Sequence, residues 1–144
     1  MILGADEMNK LIPHRDPMIM IDNLLSYDET NTETGFTIRS DNIFLEDGRF
    51  SSYGLIENVA QTAAAWAGYY FYINELPVPV GFIGSVSKMY IYDYPLLGDN
   101  LTTHVSIIAK LEQISIVKAT SKLNDKVLLE CEMKMFQDGE APVG

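Results

Sequence analysis

The 144-residue chain reads as an α+β fold in which an antiparallel sheet wraps around one long central helix. Three observations predict this. Residues 53–74 place Leu55, Ile56, Val59, Ala60, Ala63, Ala67 and Tyr70 near helical i, i+3/i+4 spacing. The same stretch is loaded with Ala60, Ala63, Ala64, Ala65, Ala67 and Gly68, and small residues on several sides let a sheet approach the helix backbone closely. After Pro77 and Pro79 the period changes, and four alternating or β-branched runs follow at 80–92, 101–111, 114–123 and 127–136. The length suits a single domain spanning residues 1–144 around one core.

The elements follow in order. Residues 5–11 suit a short helical turn, with Asp6 and Glu7 near its positive end and Pro13 stopping it. Residues 18–27, rich in Ile, Met and Leu, are expected to form a buried strand. Residues 30–34 carry turn chemistry, and 35–39 read as the returning strand with Phe36 and Ile38 on one face. Residues 41–52 are polar and irregular, with Gly48 as a hinge. Ser51 or Ser52 supplies the N-cap of the long helix. Tyr69, Tyr70, Phe71 and Tyr72 broaden it where it emerges. Glu112-Gln113 and Asn124-Asp125 are short enough for hairpin turns, and residues 139–144 are expected to fray. A lone sheet-and-helix layer of this size leaves a sheet edge or helix flank bare, so a homodimer is expected.

Composition limits the partners. Twenty acidic against ten basic residues give a formal charge of −10, with no Lys/Arg run for phosphates, which argues against nucleic acid and anionic membranes. The single cysteine, Cys131, has no internal disulfide partner and reads as a small buried hydrophobe in an alternating strand. No basic segment followed by an apolar stretch opens the chain, and Glu57, Asn58 and Gln61 interrupt the helix, so neither a signal peptide nor a membrane span is expected, and the location expected is cytoplasmic. Two histidines and one cysteine offer no metal ligand set, no glycine-rich phosphate loop joins a strand to a helix, and no cofactor is implied.

Three stretches carry a resemblance. Leu11-Ile12-Pro13-His14-Arg15-Asp16-Pro17-Met18 with Ile21-Asp22 resembles the opening of the 3-hydroxyacyl-[acyl-carrier-protein] dehydratases of the hotdog fold. Ile56-Glu57-Asn58-Val59-Ala60-Gln61 is similar to that family's Glu-x-x-Ala-Gln signature on the central helix. Val86-Ser87-Lys88-Met89-Tyr90 and Pro95-Leu96-Leu97-Gly98-Asp99-Asn100-Leu101 resemble the strand and turn that follow. With Gly54-Leu55-Ile56-Glu57, the 61–68 run and Gly81-Phe82-Ile83-Gly84, the chain looks closest to a divergent branch, the dehydratase-like proteins of aryl-polyene clusters. The resemblance implies a hotdog fold, an acyl carrier protein as partner, and dehydration of carrier-bound 3-hydroxyacyl thioesters. One departure stands out. The family's Gly-His-Phe-Pro-Gly loop, whose histidine is the base, is shortened here to the remnant Gly48-Arg49-Phe50, without histidine.

Eliminating water from a 3-hydroxyacyl thioester needs a base for the C2 proton, an acid for the leaving hydroxyl, and a donor for the charge developing on the carbonyl. Glu57, in the first turns of the helix among apolar neighbours, is the expected acid; burial favours its protonated form and the helix N-terminus opposes that. Gln61, one turn on, is placed to orient Glu57 or the substrate, or to make a plain helix contact. His104 lies on a strand with polar alternates and reads as a satisfied, solvent-side residue. His14, which the resemblance assigns no catalytic part, is with the loop histidine missing the remaining imidazole available as base; a structural hydrogen bond is the alternative. Gly54 permits close approach at the helix start, and Gly81 and Gly84 either expose strand amides to an acyl chain or relieve strand curvature. Met18, Met20, Phe36, Phe82 and Met89 line a tunnel or pack the core. Arg15, Arg49 and Lys88 are the candidates for docking a carrier protein, or else solvated charges. A hotdog thioesterase, and a catalytically silent partner subunit in a heterodimer, are the competing readings.

Overall fold

The computed structural model describes residues 1–137; the fraying expected of 139–144 lies outside them. A 3-10 helix, Ala5–Lys10, leads to β1 (Asn23–Tyr27) and β2 (Asn31–Thr37). A small hairpin of β3 (Leu45–Glu46) and β4 (Arg49–Phe50) precedes the helix α1 (Ser52–Ile73). Then come β5 (Gly81–Ile91), β6 (Asn100–Leu111), β7 (Ile114–Leu123) and β8 (Lys126–Gln137). The six long strands form one antiparallel sheet in the order β1-β2-β6-β7-β8-β5.

The sheet curves round α1 because its inward positions are apolar or small. Leu101 and Val105 on β6, Val117 and Ala119 on β7, and Cys131, Met133 and Met135 on β8 pack with Leu55, Val59 and Ala63 of the helix. A second apolar cluster joins Ala65 to Leu3, Met8, Leu11, Ile12, Ile21 and Leu24 on the far side. Gly68 permits the close approach there, since a Cβ on it would stand 2.3 Å from the Leu11 carbonyl oxygen. Ser51 is the N-cap, its Oγ accepting the Gly54 N–H at 3.4 Å. Among the described residues no helix is long and apolar enough to cross a membrane.

Several local expectations need correction. Residues 18–22 are not strand: the Met18 carbonyl and both backbone polar groups of Met20 are bonded to side-chain amides of α1, only Asp22 N–H reaches β2, at Gly35 O, and β1 starts at Asn23. The turn expected at 30–34 sits earlier. The Asp28 carboxylate accepts the Thr30 and Asn31 N–H groups at 2.9 and 2.8 Å, and β2 is already extended from Asn31. Those bonds hold the Asp28 carboxyl below its usual range, the Thr30 amide contributing most. Residues 41–52, expected to be irregular, contain the β3–β4 hairpin. Asp47 and Gly48 both have positive φ, 53° and 76°, the two-residue turn that Asp-Gly favours, so Gly48 closes a turn where a hinge was expected.

The two edges of the sheet differ. β1 is covered by the N-terminal residues through the Leu3–Leu24 bridge. Among the described residues the other edge, β5, has only β8 beside it, and every described side chain of it is exposed or half-buried.

Candidate active site on the open stripe of the helix

Up to its last turn, α1 is covered on most sides and left open chiefly along one stripe. Tyr53, Glu57, Ala64, Ala67 and Phe71 repeat at helical spacing and all retain exposure, whereas Leu55, Asn58, Val59, Gln61, Thr62, Ala63 and Ala65 are buried. Glu57 is therefore the carboxylate in a stripe of alanines. Its side chain keeps 31% of its surface exposed, so it is not enclosed among apolar neighbours as expected; the chain covers only one side of it.

That side is residues 11–20, and it brings His14 to the site. His14 Nε2 lies 3.9 Å from Glu57 Oε2, with 30% of the imidazole side chain exposed. Its Nδ1 is buried and has no hydrogen-bond partner among the described residues, so the structural backbone bond considered for this histidine is not made there. The loop is braced from within: Arg15 Nη1 donates to the Ile12 and His14 carbonyls at 3.0 and 2.7 Å, and Met18 N–H donates to Arg15 O at 2.9 Å.

Gln61 ties loop and carboxylate together. Its Oε1 accepts Met20 N–H at 2.6 Å, and its Nε2 donates to Met18 O at 2.8 Å and to Glu57 Oε2 at 3.0 Å. All three bonds are made by a fully buried side chain, which is more than a plain helix contact.

The glycines are occupied differently. Gly54 faces Phe50, whose ring would stand 2.3 Å from an added Cβ, and its N–H is used by the Ser51 cap; the close neighbour expected at the helix start is thus the protein's own ring. Gly84 is covered by the Phe136 ring, 2.0 Å from an added Cβ. Gly81 borders a small apolar pocket with Leu11, Pro13, Ala64, Ala67 and Met135; its free space, about 20 Å³, is room for one water. Met20 and Phe36 are core residues, whereas Met18 and Met89 are exposed.

The three docking candidates do not share one environment. Arg15 is exposed beside His14. Arg49 lies over the Tyr94 ring at 4.3 Å. Lys88 pairs with Glu132 at 2.9 Å, at an irregularity in β5 where its φ is +49°. His104 is satisfied by Asn31 at 3.0 Å. Cys131 is buried, and burial, with Glu132 second, pushes its thiol up to about 11.

Sequence reasoning missed a buried polar chain beneath the site. Asn58 Nδ2 donates to Met20 O at 2.8 Å, and Asn58 Oδ1 accepts from the Thr103 hydroxyl, which meets Ser121 Oγ at 2.9 Å. Thr62 Oγ1 donates to Asn58 O and meets Thr34 Oγ1 at 2.7 Å. The signal was present: Asn58 and Thr62 fall on buried faces of the helix, and Thr103 takes an inward register position between Leu101 and Val105.

A curved antiparallel sheet around one long helix defines a hotdog-fold protein. Comparison with known proteins agrees. The family model described as ApeP-like, ApeP dehydratase, matches residues 6–142, and the chain belongs to that family. The 3-hydroxyacyl-[acyl-carrier-protein] dehydratase FabZ of Macrococcus caseolyticus is 28% identical over 138 residues, covering 92% of this chain and 93% of the relative. Among solved structures, the dehydratase heterocomplex ApeI:P from Xenorhabdus doucetiae superposes with a TM-score of 0.86 at 17% identity, over 92% of this chain and 91% of that one. A hypothetical thioesterase with coenzyme A from Streptococcus pneumoniae shares the fold at a TM-score of 0.66 and 11% identity, over 83% and 90% of the two chains.

Proposed function

We propose that the protein removes water from 3-hydroxyacyl thioesters carried on an acyl carrier protein, with His14 and Glu57 as its base and acid. The observation that carries this is their separation of 3.9 Å within one chain, on the one stripe of α1 left open. His14 takes the C2 proton, the electron pair becomes the C2–C3 double bond, and the C3 hydroxyl leaves as water with a proton from Glu57. The products are the 2-enoyl thioester and water. The imidazolium and carboxylate left behind face each other at 3.9 Å, a gap that one water bridges, so the proton returns from His14 to Glu57 through it and resets the pair. Gln61 holds the Glu57 oxygen that faces His14. The acyl chain lies along Ala64 and Ala67 towards Gly81; the pocket there holds only one water, so it must widen for the chain to enter.

The FabZ relatives support a carrier-bound substrate. Arg15, exposed next to His14, is the best placed cation for the carrier, with Arg49 and Lys88 secondary because one stacks on Tyr94 and the other is paired with the Glu132 carboxylate. Arg15→Glu should weaken carrier binding in a titration; unchanged binding removes it from the docking surface. The bare edge of β5 supports a dimer with a second copy or a related hotdog subunit, and the ApeI:P neighbour favours considering the latter.

The test is turnover of 3-hydroxyacyl and saturated acyl thioesters, by the pure protein and by its complex with a related hotdog subunit. Enoyl product is expected. Free thiol would make it a thioesterase, and neither product a silent subunit. His14→Ala and Glu57→Gln should each lower dehydration at least ~100-fold with an unchanged melting curve, in the range for loss of a general acid or base. Normal turnover by His14→Ala would dispose of the assignment.

A further inference from the structure

The reading above uses Glu57, His14 and Gln61 and leaves Asn58 without a task. Asn58 is fully buried, and its side-chain amide N–H donates to the backbone of residues 14–20, at Met20 O. Met20 has neither of its backbone polar groups in the sheet. Its N–H goes to Gln61 Oε1 and its C=O accepts from Asn58 Nδ2 at 2.8 Å. Two amides three residues apart on one helix thus replace a neighbouring strand. Behind Asn58 the chain continues through Thr103 on β6 to Ser121 on β7, in the middle of the sheet. None of the hydrogen bonds of Asn58 is made to the Glu57 carboxylate or to His14.

We propose that Asn58 is a positioning residue: through its bond to the Met20 carbonyl it fixes the Met20 end of the braced loop, and with it the placing of His14 against Glu57, to the helix. The inference rests on the proposed catalytic pair and adds a residue outside it. The loop has two attachments to α1, the close approach of Leu11 to Gly68 and the Met18–Met20 bonds. With Arg15 and Met18 bracing the stretch between them, a shift at Met20 is carried to His14. An apolar residue at 58 leaves the Met20 carbonyl buried without a donor, and the loop must move or open to satisfy it. Thr103, by contrast, keeps Ser121 as a partner whatever occupies position 58.

The experiment compares Asn58→Leu and Asn58→Thr with Thr103→Val. Leucine matches the shape of asparagine without its polar atoms. Threonine, one atom shorter, leaves a hydroxyl in the polar pocket but cannot reach Met20, and it serves where leucine fails to fold. Thr103→Val cuts the same chain on the sheet side and leaves the Asn58–Met20 bond in place. Two quantities are read: steady-state kinetics on a 3-hydroxyacyl thioester, and amide hydrogen exchange across residues 14–20 in the protein without substrate. In both Asn58 variants kcat should fall ~10–100-fold, the order expected for misplacing a catalytic group by about an ångström, with KM within about twofold. Exchange in residues 14–20 should quicken at least ~10-fold. Thr103→Val should lower the melting temperature and leave both quantities near wild type. Unchanged exchange in the folded Asn58 variants overturns the proposal, as does an equal loss of kcat and loop protection in Thr103→Val, which would mark a general core effect. Absence of dehydration by the wild-type protein would count against the catalytic reading, and the exchange comparison would still decide whether Asn58 anchors the loop.

Discussion

Two segments border the open stripe of α1, and they are finished in opposite ways. Residues 11–20 are bound to the helix by directed polar contacts: Gln61 takes Met18 and Met20, Asn58 takes Met20, and Leu11 lies against Gly68 where no larger residue fits. β5 on the other border is an open strand with Ile83, Met89 and Tyr90 facing outward and only β8 at its side. A contact that must hold one geometry within the chain uses buried amides, because each is costly to leave unpaired and so permits few alternatives. A surface that awaits another subunit instead carries apolar side chains and an unpaired row of backbone groups, which bind strongly but specify little. On the proposed reading, the placing of His14 against Glu57 is set within one chain, and the stripe is left for a partner to cover.

The strongest attack on that contrast is at β5. Ile83 and Tyr90 are 40% and 59% exposed, so Ile83→Lys with Tyr90→Lys should leave the fold stable to within about 0.5 kcal/mol. The same pair should weaken assembly at least ~100-fold, which is about 2.7 kcal/mol and what a few central apolar anchors contribute to an interface. Sedimentation velocity reads the result, and an unaltered assembly would mean that β5 is not the docking edge. Next in size is Gly68→Ala. Alanine gains up to ~1 kcal/mol of helix propensity, but its Cβ would stand 2.3 Å from Leu11 O and 3.2 Å from Val78 Cγ1. The clash should win by about 2 kcal/mol in urea unfolding, and dehydration should fall further than stability alone explains, because residues 11–20 are displaced. A stabilised Gly68→Ala would show that the loop does not need its close seat.

The contrast also explains what was legible beforehand. The four-strand run, the helix and its capping serine follow from patterns that repeat over many residues, and they agree with the structure to within a residue or two. Glu57 drew attention as a candidate because a carboxylate in an alanine-rich helix contradicts its surroundings. The segment 18–22 was misread because its composition is that of a strand, and no local pattern reveals that its backbone partners are Asn58 and Gln61, some forty positions on. His14 was picked by elimination, since its distance to Glu57 depends on that same long-range docking. Asp47-Gly48 carried a plain hairpin signal that the polar character of residues 41–52 obscured. What periodicity encodes was readable; what depends on one polar side chain reaching one carbonyl was not.

The smallest effects test whether the polar side of α1 is held by satisfied hydrogen bonds. Thr62 Oγ1 donates to Asn58 O at 2.8 Å, so across the 2.7 Å contact Thr34 must be the donor and the Thr62 oxygen the acceptor. The two threonines are therefore not equivalent. Thr62→Val removes the acceptor and leaves the Thr34 hydroxyl buried with nothing to donate to, at a cost of about 1.5 kcal/mol. Thr34→Val removes only a donor, since Thr62 keeps its bond to Asn58 O, and should cost about 0.5 kcal/mol. Combining them removes the stranded hydroxyl, so the double variant should be more stable than Thr62→Val alone, a coupling that urea unfolding can resolve. If the two costs simply add, the threonines are packing neighbours, and the case for exact polar pairing on this side of the helix then rests on Asn58 and Gln61 alone.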